Sequence, residues 1–346
     1  MPNLFDRTFR ALCIVFIAGL AVAGTARAEL IWSADGGWRI EGGALSGLVG
    51  DEGRRAIDLM NKARTAEERQ DFGSAAKNYE RIGKRFGNSV YAPEAYYRGA
   101  RVRLQRKQFF KAHENFQQVV GRYPSYPRFN EIIGEQYRIA SALLDGARNR
   151  IWGKIPGFTN REKAIEYFEI LLATAPYSDY APLSLMNIAR AHQKLGNDPE
   201  AIDALDRMIN IYPQSLLAPD AYLKLAQTHA SLVEGALYDQ GSTREAITYF
   251  EDFMILFPSD GSVGAAEKGL GDMKRVLAES KMKIADFYFY KRDNYMGARV
   301  FYNEAITVFP DSVVAAKARE QLVKVEAAAA AAGAAGGKPK KRFLFF

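Results

Sequence analysis

The stretch Ala246–Pro258, AITYFEDFMILFP, decides the fold, because a rule contained in it recurs along the chain. An alanine is followed four residues later by an aromatic or large apolar residue, and seven residues after that an apolar residue directly precedes proline. The copies are Ala112, Phe116, Tyr123 and Pro124; Ala164, Phe168, Ala175 and Pro176; Ala201, Leu205, Tyr212 and Pro213; and Ala298, Tyr302, Phe309 and Pro310. A weaker sixth, Ala75, Tyr79 and Phe86, has Gly87 in place of proline. Offsets of four and then seven put all three side chains on one helical face, and proline pushes its predecessor out of the α region. The unit is a helix with a built-in stop, used six times.

Each such helix has a partner upstream. A first helix is expected over about Arg54 to Glu68, ahead of a break at Phe72-Gly73-Ser74. Ser89, Ser178, Ser215 and Ser312 follow the stops at a fixed distance, and a serine there can cap the next helix. With 346 residues and 48% apolar content the chain has material for two ordinary domains. Repeat arrays instead bury their core between neighbours, so one all-α solenoid of about six helix pairs over 54–326 accounts for most of the length.

Two gaps between stops are long. The surplus lies at Trp152 to Asn160, WGKIPGFTN, and around Gly235 to Ser242. Insertions in arrays project from one face, as plain loop extensions or as binding elements, and both readings stay open. Glu267 to Asp293 reads as a long helix with Phe287, Tyr288, Phe289 and Tyr290 near its end, too many adjacent aromatics for one face. Alanine and glycine dominate from Ala327, where the array is expected to end and a tail over 327–346 to begin.

The N-terminus reads as an export leader over 1–28: Arg7 and Arg10, an apolar run from Ala11 to Gly24, and Ala26-Arg27-Ala28 before Glu29. Cys13, the single cysteine, lies inside that run, which excludes a disulfide framework from the mature chain and leaves no lipid-anchor cysteine evident. Residues 29–53 follow as a hairpin and linker. Leu30 to Ser33 and Trp38 to Glu41 flank Ala34-Asp35-Gly36-Gly37, which predicts a small β-hairpin whose tryptophans pack on the first repeat or meet a partner.

The net charge of +7 invites a nucleic-acid reading, but its location argues against one. The leader and the run from Lys338 to Arg342 hold the excess, and what remains carries 40 basic against 39 acidic residues. A body this close to neutral lacks the footprint of a phosphate-backbone binder.

The alanine, aromatic and proline spacing resembles the second helix of tetratricopeptide repeats, with Ala63, Ala100 and Ala189 at the matching small position of the first helix. Within this class, Asp272 to Pro310 is similar to the later part of the BamD family, a component of the bacterial outer-membrane β-barrel assembly machinery. The similarity lies in Arg275-Val-Leu-Ala278, Ala285-Asp-Phe-Tyr288, Lys291-Arg292 and Phe309-Pro310, with Tyr123-Pro124-Ser-Tyr-Pro127 similar to an earlier repeat. The resemblance implies a non-catalytic scaffold in the periplasm, associated with the outer membrane. Its implied partners are the barrel-forming, BamA-like subunit and unfolded outer-membrane proteins. The family's lipidated cysteine has no counterpart at the expected mature N-terminus, one repeat is additional, and the hairpin and tail fall outside the pattern. An adaptor for another envelope system, Tol-Pal or peptidoglycan associated, therefore stays open.

The same resemblance places the position eleven residues before each key alanine on the concave groove, where Arg64, Arg101 and Arg190 stand. Guanidinium forks suit peptide carboxylates, and Tyr97 and Met186, one turn earlier, would supply apolar contact. Pairing with glutamates of their own repeats is the alternative; Arg138 joins the set only if Pro127 leaves the phase intact. The tail ends in Lys340, Lys341, Arg342 and then Phe346, able to dock in a groove, touch anionic headgroups or simply solubilise the end. His113, His192 and His229 stand singly, with no metal-ligand spacing and no nucleophile or phosphate-binding motif. No catalytic residue, metal or cofactor is expected.

Overall fold

The computed structural model describes residues 29–33, 35–41, 51–236 and 240–334. The expected leader over 1–28 and the tail residues Lys340, Lys341, Arg342 and Phe346 lie outside the described residues. Thirteen helices and two small hairpins are present among those described, divided into two compact units that meet at Pro176 and Tyr177.

The first unit holds β1 (Glu29–Ser33), β2 (Gly37–Glu41), α1 (Asp51–Glu68), α2 (Phe72–Arg85), α3 (Ala92–Gln105), α4 (Phe109–Arg122) and α5 (Phe129–Leu144). A second hairpin, β3 (Arg150–Ile151) with β4 (Ile155–Pro156), precedes α6 (Arg161–Thr174). The second unit holds α7 (Tyr180–Leu195), α8 (Asp198–Ile211), α9 (Ala218–Ser231), α10 (Gln240–Leu256), α11 (Val263–Arg292), α12 (Tyr295–Val308) and α13 (Val313–Ala334). Within each unit every helix packs on the next, giving six helix pairs of the tetratricopeptide type and a final single helix.

The repeating rule is a packing rule. All six key alanines are fully buried, and so are the residues four positions on, with Phe250 the most exposed at 2%. Each ring so buried contributes about 1.5–3 kcal/mol, and the small alanine lets the paired helix come close enough to cover it. The third position departs from the one-face expectation. Phe86, Tyr123, Ala175, Tyr212 and Phe309 are C-cap residues with φ from −124° to −145°, each closing the last turn by donating its N–H to the carbonyl four residues back. Phe86 does this without a following proline, so the stop does not depend on proline alone.

The serines act earlier than a cap would. Ser89 and Ser312 turn their hydroxyls back to the carbonyls of Phe86 and Phe309, closing the turn; the Ser312 hydroxyl also accepts from the N–H of Ala315 in the next helix at 3.0 Å, and that of Ser215 from the N–H of Leu217, which precedes the next helix, at 3.2 Å. Side-chain caps are also found on second helices, where Asp71, Asn160 and Asn294 accept from the N–H groups of Ser74, Lys163 and Gly297.

Five residues before the key alanine, the turn inside the helix pair takes a left-handed conformation at Gln70, Lys107, Gly196 and Asp293, with φ of 62°, 54°, 76° and 51°. Three of these are not glycine, so the geometry is imposed by packing of the pair against the residues' own preference.

The N-terminal hairpin forms as expected, with Trp32 opposite Trp38. It packs on the first repeat: Trp38 is 3% exposed in one cluster with Ala56, Met60 and Ala63. The guanidiniums of Arg64 and Arg98 lie 4.5 and 4.6 Å over the rings of Trp32 and Trp38. The Asn61 side-chain oxygen accepts from the backbone N–H of Trp38 at 3.0 Å. At the other end α13 continues to Ala334, past the point where the alanine run suggests an end, because alanine is the strongest helix former.

Candidate functional site

In the first unit α3 puts Glu94, Tyr97, Arg98 and Arg101 on one face at i, i+3, i+4 and i+7. Opposite them the turn Tyr126–Arg128 and the first turn of α5 bring Tyr126, Arg128 and Glu131. Tyr126 donates its N–H to the Tyr123 carbonyl and accepts from Phe129 with its own, so the turn is pinned on both sides.

Tyr97 is the hub. Its ring is buried against Phe116 and Tyr126, its hydroxyl donates to Glu131, and it accepts from Arg101 at 2.9 Å and Arg128 at 3.3 Å. Arg101 also reaches Glu131 at 3.1 Å. Alongside, Glu94 accepts from Arg98 and from the Tyr126 hydroxyl, both at 2.6 Å. Burial, with Glu131 and Glu94 adding to it, raises the phenols of Tyr97 and Tyr126 above their usual range, so both stay protonated and donate.

The charges do not balance. Three guanidiniums, Arg98, Arg101 and Arg128, face two carboxylates, Glu94 and Glu131; Glu135 also acts on Arg101 but is itself paired with a fourth guanidinium, Arg138, at 3.0 Å, so one positive charge is in excess. The side chains of Arg101 and Arg128 are 50% and 48% exposed, so the excess positive charge sits at the surface with donors left over. Such a pair of forks offers the geometry for one incoming carboxylate.

The five expected groove residues fall into three settings. Tyr97 and Arg101 are in this cluster. Arg64 is ion-paired with Glu67 and Glu68 at 3.6 and 2.9 Å and lies over Trp32, so it belongs to the hairpin seam. Met186, half-buried, and Arg190, exposed, share one face of α7 in the second unit. Sequence reasoning missed Tyr126, Arg128 and Glu131, which lie outside the repeat rule; the only signal was the Tyr-Pro-Arg turn after Pro124.

Among the described residues no group of His, Cys, Asp and Glu is arranged to hold a metal, and no helix is long and apolar enough to cross a membrane. His113 is stacked on Tyr167 and His229 on Tyr249, and His192 is half-buried.

A family model described as YfiO, outer membrane lipoprotein, matches residues 159–336, slightly over half of the chain. The chain is 26% identical over 129 residues to an outer membrane protein assembly factor BamD of Caulobacter vibrioides, covering 37% of this chain and 42% of that one. A BamD of Rickettsia prowazekii is 25% identical over 163 residues, covering 47% and 64%. The chain thus spans about half the length of the curated relatives it matches. Among solved structures, a TPR repeats protein of Bacteroides fragilis is 13% identical and covers 79% of this chain and 98% of that one at a TM-score of 0.36. The family match begins after the Tyr97 cluster.

Proposed function

The chain belongs to the YfiO family of outer membrane lipoproteins, and from that premise we propose that it is a non-catalytic scaffold of outer-membrane β-barrel protein assembly. It works at the periplasmic side of the outer membrane, after loss of a leader near Ala28, with the repeats over 54–326 as its binding array. Its partners are a barrel-forming, BamA-like subunit and unfolded barrel proteins, and its chemistry is recognition without bond making. The support is family membership together with relatives titled outer membrane protein assembly factor.

The observation that carries the recognition step is the unbalanced Arg101–Arg128–Glu131 cluster around the Tyr97 hydroxyl. A C-terminal carboxylate of an extended polypeptide pairs with Arg128 and Arg101, which until it arrives are held by the Tyr97 hydroxyl and, for Arg101, by Glu131. A peptide with an aromatic C-terminus is titrated as free acid and as amide, and preference for the free acid is expected. Equal affinity for both forms overturns the carboxylate reading. Recovery from detergent-solubilised envelope tests the wider assignment: a co-purifying barrel protein with periplasmic domains supports it, and recovery of Tol-Pal or peptidoglycan-associated proteins in its place overturns it.

A further inference from the structure

The loop between α5 and α6 lies outside the repeat rule and is tied back to the preceding helix pair. Its short strands pair Ile151 with Ile155 and Arg150 with Pro156. The Arg150 N–H donates to the Lys107 carbonyl, Arg106 donates to the Trp152 carbonyl, Asn149 accepts from the Phe110 N–H at 3.2 Å, and Gly157 donates to the Asn149 carbonyl. The turn is left-handed at both Trp152 and Gly153, with φ of 52° and 75°. Glycine suits the second position because of its φ of 75°, and a Cβ there would push aside the Arg106 guanidinium that holds the Trp152 carbonyl. Tryptophan at the first resists such a φ, and its persistence reflects the anchoring by Arg106 and Lys107 in the turn after α3 and by Phe110 of α4.

What this anchored finger presents is apolar and cationic. Ile151 and Ile155, opposite one another and so on one face, are 48% and 52% exposed, Trp152 at the tip 74% and Phe158 95%. Arg148, Arg150 and Lys154 are exposed around them, and no acidic residue occurs between Asp145 and Glu162. A water-facing loop keeps such a cluster small or breaks it with acids; here large apolar tips stand beyond a collar of one charge sign.

We propose that this finger docks on an anionic lipid surface, with Trp152, Phe158 and the two isoleucines entering the headgroup boundary and Arg148, Arg150 and Lys154 meeting phosphates. Tryptophan prefers that boundary, and basic residues are drawn to anionic headgroups over about a Debye length. Binding by such a device scales with buried apolar area plus charge, so both halves are required. The contact is independent of the carboxylate cluster, and loss of one leaves the other intact.

The full chain is sedimented with phosphatidylethanolamine–phosphatidylglycerol vesicles and with phosphatidylcholine vesicles, beside two variants carrying the same termini. One has Trp152→Ser with Phe158→Ser; the other has Arg148→Gln, Arg150→Gln and Lys154→Gln. Each variant is expected to bind the anionic vesicles at least about tenfold more weakly than the parent, with parent binding falling as salt rises. Brominated acyl chains should quench emission in the parent and lose that quenching in Trp152→Phe, a readout that does not depend on the multiple variants folding. Unchanged binding in both variants, equal binding to phosphatidylcholine, or finger-dependent capture of a protein without vesicle binding overturns the proposal.

Discussion

The His113 imidazole lies flat on the Tyr167 ring, with centroids 3.6 Å apart and planes 3° from parallel. It joins α4 to α6, is buried, and its Nε2 has no hydrogen-bond partner. Burial, with the charge of Lys163 adding to it, lowers its pKa from 6.5 to about 3. The unfolded chain therefore takes up the proton as pH falls through 6.5 while the folded chain does not until about 3, so the stability is intact above 6.5 and lost progressively below it. At about pH 5 the loss is on the order of 2 kcal/mol. His113→Phe keeps the ring contact and removes the proton. Comparing melting temperatures at neutral pH and near pH 5, the parent should fall further than the variant, and equal falls would remove His113 from the account.

Two glycines of α11 should answer the same substitution with opposite signs. A Cβ on Gly269 would stand 2.4 Å from the Phe250 ring, whereas one on Gly271 meets nothing within 4 Å. Alanine is preferred over glycine in a helix by about 1 kcal/mol, but displacing a packed ring costs about 1–3 kcal/mol. In urea titrations Gly271→Ala is expected to raise the midpoint of the second unit, and Gly269→Ala to lower it.

Lys107 holds a φ of 54° in the turn between α3 and α4. A side chain there costs roughly 1–2 kcal/mol that glycine avoids, offset in part by the greater entropy of an unfolded glycine. Lys107→Gly should stabilise by up to about 1 kcal/mol, while Lys107→Val, branched at Cβ, should destabilise. A thermal melt decides, and a Val variant as stable as the parent would mean that the turn relaxes freely.

The carboxylate cluster can be separated from the hairpin seam. Arg101→Gln with Arg128→Gln removes both half-exposed forks and is expected to weaken free-acid peptide binding at least about tenfold. Arg64→Gln, which loses only contacts to Glu67, Glu68 and Trp32, should leave that affinity within about twofold. Fluorescence anisotropy reads both, and a loss confined to Arg64→Gln would move the site to the hairpin.

The fold was legible because the repeat makes the same packing demand six times. A fully buried alanine with a buried ring, or at Leu205 a leucine, four residues on admits few substitutes, so the demand is written into the sequence at Ala75, Ala112, Ala164, Ala201, Ala246 and Ala298. The stop was legible for the same reason, although its last residue leaves the helical face. The site was only partly legible. Arg101 could be placed from its distance to Ala112, but Arg128 and Glu131 come from a turn with no fixed phase to the repeat. Arg64 has the same phase as Arg101 and a different environment, because the hairpin covers it.

Sequence by itself determined the all-α repeat class, the six helix pairs and the hairpin, since each rests on short-range spacing, and its residue runs over Asp272 to Pro310 carried the resemblance to the outer-membrane assembly family. Tertiary structure decided which arginines keep a free donor: the Trp32 ring closes over Arg64, while Arg128 and Arg101 converge on one tyrosine hydroxyl. It also decided that the left-handed turns at Gln70, Lys107 and Asp293 persist without glycine. Backbone preference is local and readable from a window of residues, whereas convergence of charges and imposed strain depend on which distant elements are pressed together when the helix pairs bury their alanines.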